Sequence, residues 1–217
     1  MADIIVAGNT SGAITISAPL VAGSGVLTLP VIAADTLAGI AATQTLTNKT
    51  LVAPALGTPA SGVLTNCTGV PASALPAGSV LQVVQGTYAT TVSSSTTTFI
   101  DTGLTATITP RSTSSKILVL INHNQNGKSN GDGSNGISFR LFRGVTSIQN
   151  LTDYLGYTQS ATAGYFSFSS SYLDSPATTS ATTYKTQFAS SNNTASVSVQ
   201  NQAANSPSFI TLMEIQG

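Results

Sequence analysis

Two side chains that could serve as nucleophile and base occur once each, Cys67 and His123. Covalent catalysis needs such a thiol and imidazole within hydrogen-bond reach. Here they fall in regions of different character, so a pair would have to bridge those regions or two chains. Cys67 reads as a small apolar residue at an interface. His123 ends an apolar run and reads as a solvent-facing or hydrogen-bonded imidazole. The seven acids are Asp3, Asp35, Asp101, Asp132, Asp153, Asp174 and Glu214. Glycoside hydrolysis uses two carboxylates about 5–9.5 Å apart. No spacing here selects a pair, although Asp132, Asp153 and Asp174 stay open as partners within or across subunits. Asp174 in "YLDSP" suits an Asp-x-Pro turn at a strand end. Glu214, in an apolar C-terminal run, suits a structural partner for Arg or Lys. The expectation is a protein that is not an enzyme.

The stretch "NHNQNGKSNGDGSNG", 122–136, superficially matches a calcium loop through Asn126, Asn130, Gly131 and Asp132. Lys128 falls on a ligand position, and Ile137 stands where the bidentate glutamate belongs. No metal or cofactor is expected. The same stretch is polar and glycine-rich, the kind of loop that carries recognition on a rigid scaffold. Its candidate receptor contacts are His123, Asn124, Asn126, Lys128, Asn130 and Asp132. Next, "NLTDYLGYTQSATAGYF", 150–166, brings Tyr154 and Tyr157 close to Asp153. Exposed tyrosines beside an acid suit sugar stacking, whereas buried ones would line a subunit interface.

Strands must position these groups. Runs at 79–84, 96–108, 116–122, 136–142, 164–173, 181–188, 194–200 and 208–215 are strand-like, with polar Ser/Thr/Asn/Gly segments between them. Ile137, Phe139 and Leu141 alternate with Ser138 and Arg140. Tyr184, Thr186 and Phe188 oppose Lys185 and Gln187, and Val197 and Val199 oppose Ser196, Ser198 and Gln200. Two runs, 117–121 and 209–215, are apolar on both faces and read as central strands covered on both sides. No helical stripe is present. The fold class expected for 79–217 is all-β, a jelly-roll-type β-sandwich knob. If successive strands alternate in direction, the 122–136 loop lies at the end away from the preceding chain.

The rest of the chain differs. All six tyrosines and seven phenylalanines lie after residue 87, and the first 80 residues carry only Asp3, Asp35 and Lys49 as charges. Residues 1–40 read as an N-terminal β attachment module, with a hairpin from 13–19 and 26–30. Residues 41–78 read as an extended Pro/Thr/Ala-rich stem or linker. Without aromatics, a thin stem cannot bury Leu46, Leu51, Val52, Leu56, Val63 and Leu64 against itself. Two readings stay open: three copies wound about an axis that bury these residues between chains, or a flexible Ala/Thr/Pro linker.

Composition excludes other classes. Charged residues make up 6% of the chain, and seven basic residues balance seven acidic ones. Phosphate backbones need clustered Lys and Arg, so nucleic-acid binding is not expected. Mean hydropathy is +0.25, too apolar for a disordered chain. No run reaches the ~20 apolar residues of a spanning helix, so membrane insertion is not expected. The N-terminal residues lack a signal-peptide pattern, and the single cysteine forms no intrachain disulfide.

The stretch "TQTLTNKTLVAPALGTPASGVLTNCTGVP", 43–71, resembles a segment of many tailed-phage fibre and virion structural proteins. "GNTSGAITISAPLVAGSGVLTLP" upstream is similar to an N-terminal module of that group. "SYLDSPATTSATTYKTQF" and "ITLMEIQG" resemble its globular end domains. The resemblance implies a homotrimer in the virion, made in the host bacterial cytoplasm. The N-terminal region would contact other phage virion proteins, and the knob would contact the host surface, with a glycan as the expected ligand. Two other readings stay open: a trimeric capsid decoration or head-fibre protein without a receptor, and a polysaccharide depolymerase. Sparse charge predicts attachment that tolerates salt.

Overall fold

The computed structural model describes residues 4–7, 13–16, 50, 71, 74–129, 131, 133–192, 195–201 and 206–217. The chain divides into two compact units, Met1–Gly62 and Val63–Gly217. In the first, β1 (Ile4–Ala7) pairs antiparallel with β2 (Ala13–Ile16). The strand expected at 13–19 is therefore present, but its described partner lies upstream. The five-residue link "GNTSG" between them is rich in turn formers and keeps loop closure short. Residues 26–30, the stem residues Leu46, Leu51, Val52, Leu56, Val63 and Leu64, and Cys67 lie outside the described residues.

The described strands of the second unit are β3 (Val80–Tyr88), β4 (Val92–Ser94), β5 (Ile100–Ile108), β6 (Lys116–Lys128) and β7 (Ile137–Arg143). After these come β8 (Thr146–Leu155), β9 (Gly164–Asp174), β10 (Thr182–Ser190), β11 (Val197–Val199) and β12 (Ser208–Ile215). They form two antiparallel sheets. One runs β5-β10-β7-β8. The other runs β3-β12-β6-β9, with the short β11 and β4 continuing beside the last residues of β6. Among the described residues, no helix is long and apolar enough to cross a membrane.

The alternation read in the sequence decides which side chains fill the space between the sheets. Leu104, Ala106, Ile108, Leu141 and Tyr184 of the four-stranded sheet meet Ile117, Val119, Ile121, Ile210 and Leu212 of the other. Ile137, Phe139, Phe188, Val197 and Val199 form a second cluster. Each such side chain contributes about 1.5–3 kcal/mol by leaving water. This face-to-face packing of two sheets is that of a β-sandwich.

Three expectations change. The expected loop 122–136 begins only after Lys128, because β6 continues through "HNQNGK". A bulge makes this possible: the β6–β9 register shifts between His123 and Asn126, and Gln125 takes a φ of 52°. There Asn126 Nδ2 donates to the carbonyls of His123 and Phe166, which satisfies backbone acceptors that the bulge frees. Second, β8 was not foreseen. Its pairing with β7 shifts three times, which blurs period-two alternation. The missed signal is the two-residue turn Gly144-Val145, where Gly144 has φ 58° in the position that a type II′ hairpin reserves for glycine. Third, β6 and β12 are internal strands, yet only one face of each is buried. Leu118, Leu120, Phe209 and Met213 remain partly exposed on the other.

Strand direction separates the two ends of the sandwich. The chain joins at one end, the base, where Gly78 N–H donates to the Gln216 carbonyl and Gln216 N–H to that of Ser79, both at 2.8 Å. The register places Val80, Ile215, Lys116 and Asp174 at the base as well. Lys128, Ile137, Leu155, Gly164 and Ser190 lie at the opposite end, so the 129–136 segment is where strand parity predicted it.

Candidate functional site

The residues singled out in "HNQNGK" are largely internal. His123 is 0% exposed. Its Nδ1 accepts from Gln200 Nε2 at 3.2 Å, its Nε2 lies 2.9 Å from Thr186 Oγ1, and its ring stacks on Phe139 with centroids 4.6 Å apart. With Gln200 donating to Nδ1, the ring proton sits on Nε2 and donates to Thr186, whose hydroxyl lies 2.7 Å from that of Thr102. Burial lowers the His123 pKa to about 3. The Thr186–His123 distance would suit a nucleophile and base, but both side chains are fully buried between the sheets. Gln200, expected on the outer face, points inward because it caps this imidazole.

Asn126 is likewise buried and bonded to backbone. Lys128 is 2% exposed and ties two loops together, donating to the Gly133 carbonyl and the Thr158 hydroxyl. Asn124 is partly exposed, its amide engaged with the Pro207 carbonyl. His123, Asn126 and Lys128 therefore build the scaffold and do not offer receptor contacts. Asn130 and Asp132 lie outside the described residues.

The acids are mostly in structural bonds. Asp174, at the base end of β9, receives Arg143 Nη1 on both oxygens (3.0 and 2.9 Å) and the Tyr184 hydroxyl at 2.6 Å. Burial and this carboxylate raise the Tyr184 pKa. Glu214, expected to pair with an Arg or Lys side chain, instead accepts from Gln82 Nε2 and the Arg111 backbone N–H, both at 2.6 Å. Burial raises its pKa, but those hydrogen bonds outweigh burial and hold it below the usual range. Asp101 accepts from Lys185 and Gln187. Its burial also acts upward and is overcome by those bonds and the Lys185 charge, so its pKa falls. Among the described residues no three His, Cys, Asp or Glu groups converge as metal ligands.

Asp153, Tyr154 and Tyr157 remain as accessible candidates, and the fold brings Asp153 and Tyr154 together with residues that sequence reading had not selected. A cleft of about 230 Å³ opens on the outer surface of the four-stranded sheet, at the end opposite the base. Its lining includes Asp153, Tyr154, Arg140, Phe99, Ser138 and Ser191. The Arg140 guanidinium lies 3.9 Å from the centroid of the Phe99 ring, a cation–π contact at the edge of the cleft. Tyr154 is 52% exposed and Tyr157 50%, and their rings meet edge to face with centroids 6.1 Å apart.

Tyr154 adopts φ 58°, a left-handed conformation that is costly for an aromatic residue. Two contacts hold it there. Its carbonyl accepts the Tyr157 N–H at 3.0 Å, closing a turn. Gly136 packs against its backbone so closely that a methyl group at 136 would lie 2.6 Å from Tyr154 Cα. The opposite wall is fixed by Asn135, whose buried Oδ1 accepts from the Gly136 and Asn192 N–H groups and from Ser190 Oγ. Ser138 and Ser191 hydroxyls then meet at 2.9 Å. The result is a rigid, shallow cleft with one cation, one acid, hydroxyls and an aromatic rim. Such a surface suits a polyhydroxylated ligand. It is smaller than the roughly 300–1,000 Å³ of drug-sized pockets.

Sequence alternation had placed Arg140 on an outer face, and that was the available clue to it. Ser138 shared that clue, whereas Phe99 and Ser191 carried no comparable signal, since only the tertiary fold brings them beside residue 140. No protein-family model matches this chain, and no curated protein does either.

Proposed function

We propose that the chain is a phage virion structural protein, a trimeric fibre whose sandwich forms a knob that attaches to a host-surface glycan through the Arg140–Asp153–Tyr154 cleft. The observation that carries this reading is the cleft itself. It combines a guanidinium, a carboxylate and a strained, exposed tyrosine at the end away from the preceding chain. A fibre anchored through its N-terminal region would hold that end outward. The strand order β3-β12-β6-β9 against β5-β10-β7-β8 supports a jelly roll, an architecture frequent in capsid and lectin domains. Weak single sites are sufficient for adhesion when several copies engage together.

The test is binding of the full chain to an array of bacterial surface polysaccharides, followed by Tyr154→Ala and Arg140→Ala on any positive. Loss of a stacked ring or a charge-assisted hydrogen bond, about 1.5 kcal/mol, weakens each site about tenfold. Binding that both variants retain at full strength removes the cleft from the mechanism. No binding by the parent to any polysaccharide removes the glycan reading.

A further inference from the structure

The two outer faces of the sandwich are chemically unlike. The four-stranded sheet presents Asp101, Gln187, Arg140 and Asn150 in adjacent register positions across its strands. The other sheet presents apolar residues in the same manner. Val83 pairs with Met213, Met213 with Leu118, and Leu118 with Leu173, giving one unbroken row across four strands. Val83 is 56% exposed and Leu173 50%, and Val80, 47% exposed, pairs with Ile215 in the neighbouring row at the base.

Moving away from the base, the same face becomes mixed, with partly exposed Leu120 and Phe209 set among polar residues. The next rows bring Gln85 beside Thr211, hydrogen bonded at 2.9 Å, and Asn122 beside Ser169 at 2.8 Å. The most exposed aliphatic side chains of this face, Val80, Val83 and Leu173, therefore lie near the base.

We propose that this base half of the outer face is where copies of the chain associate, with the Val83–Met213–Leu118–Leu173 row at the centre of the contact. The inference deepens the reading of the chain as an oligomeric fibre and rests on it. Three observations select a second copy as the occupant. First, β6 and β12 carry the continuous apolar runs of strands covered on both faces, yet the described residues of one chain cover only one face. Second, Lys116 is the sole charged residue among the register positions of this face, so a charged partner finds little complementarity, whereas neutral faces turned toward a common rotation axis meet without repulsion.

Third, area contributes. Four strands about 4.8 Å apart and seven residues at about 3.3 Å each give the whole outer face roughly 440 Å², and its base half about 220 Å². A standard interface takes about 800 Å² from each partner, so the base half supplies about a quarter and the whole face about half. An oligomer built this way keeps the opposite, polar face and its cleft free.

The test uses the full chain in light scattering and sedimentation velocity. Val83→Lys with Leu173→Lys places two charges in the row, at positions whose exposure allows the isolated chain to fold. Val145→Lys, on the β7–β8 turn and 94% exposed, is the control. The parent and the control should weigh three times the 21.9 kDa chain mass. The double-lysine chain should dissociate at least 100-fold more readily with an unchanged circular dichroism spectrum. If that chain does not give the parental spectrum, Val83→Gln with Leu173→Gln replaces it, with about tenfold weakening expected. Retention of the parental mass by the folded variants overturns this interface while leaving the oligomeric fibre standing. A monomeric parent overturns both.

Discussion

Acidifying the protein should destabilise it well before its carboxylates protonate, because of His123. This is the chain's single histidine, and burial among neutral groups holds its pKa to about 3. In the unfolded chain it titrates near 6.5. Between those values the unfolded state binds the extra proton, so stability rises with pH. The contribution is fully present above about pH 6.5 and declines as pH falls toward 3. Each pH unit in that window is worth up to about 1.4 kcal/mol, so moving from pH 7 to 4.5 should remove about 2.7 kcal/mol. The carboxylates with lowered pKa, Asp101 and Glu214, act in the same direction but only near and below their unfolded values of about 4. The interval 4.5–6.5 therefore belongs to His123. Urea unfolding at a series of pH values, at fixed protein concentration because assembly would shift the midpoint, measures the slope. His123→Gln, which cannot titrate, should flatten it whatever its own stability. A parent chain with no slope from 6.5 to 4.5, or a His123→Gln chain with the parental slope, refutes the reasoning.

Other consequences concern the base and the cleft. Asp174→Ala removes the acceptor of both Arg143 and Tyr184 and should cost about 2–4 kcal/mol by urea titration. Tyr184→Phe removes one of those bonds and should cost less, about 1.5–3 kcal/mol, so an Asp174→Ala cost no greater than that of Tyr184→Phe would argue against a shared knot. Gly136→Ala forces the added methyl against the Tyr154 backbone and should cost about 1–3 kcal/mol. It should also lower polysaccharide binding without touching a lining side chain. Binding at parental strength would show that Tyr154 does not depend on that packing.

The sequence read the alternating strands well because their period-two pattern is a direct consequence of pleating. Tyr184, Thr186 and Phe188 are buried and Lys185 and Gln187 are not, as alternation required. It failed where side-chain satisfaction replaces hydrophobicity. "HNQNGK" looks like a solvated loop, but His123, Asn126 and Lys128 are buried and hydrogen bonded inside the domain. Strand β8 failed for a different reason, since three register shifts erase the pattern that would have marked it. The candidate site was half legible. Asp153, Tyr154 and Tyr157 stood out as acid and aromatics in one polar stretch. Arg140 and Phe99 belong to other strands, and their place beside Asp153 and Tyr154 depends on which strands pair and in what register.

By itself, the sequence determined that residues 79–217 form an all-β core, because apolar side chains at every second position have one way to leave water together. It also determined that charge is sparse and balanced, with seven basic residues against seven acidic ones. The tertiary structure alone decided which outer face is polar and which apolar. Residues 83, 118, 173 and 213 lie far apart along the chain, and they become one row only when hydrogen-bonded ladders align them. Likewise, only packing between the sheets made His123 a neutral internal strut, since its pKa follows from the depth at which the fold places it and from the neutral partners it meets there.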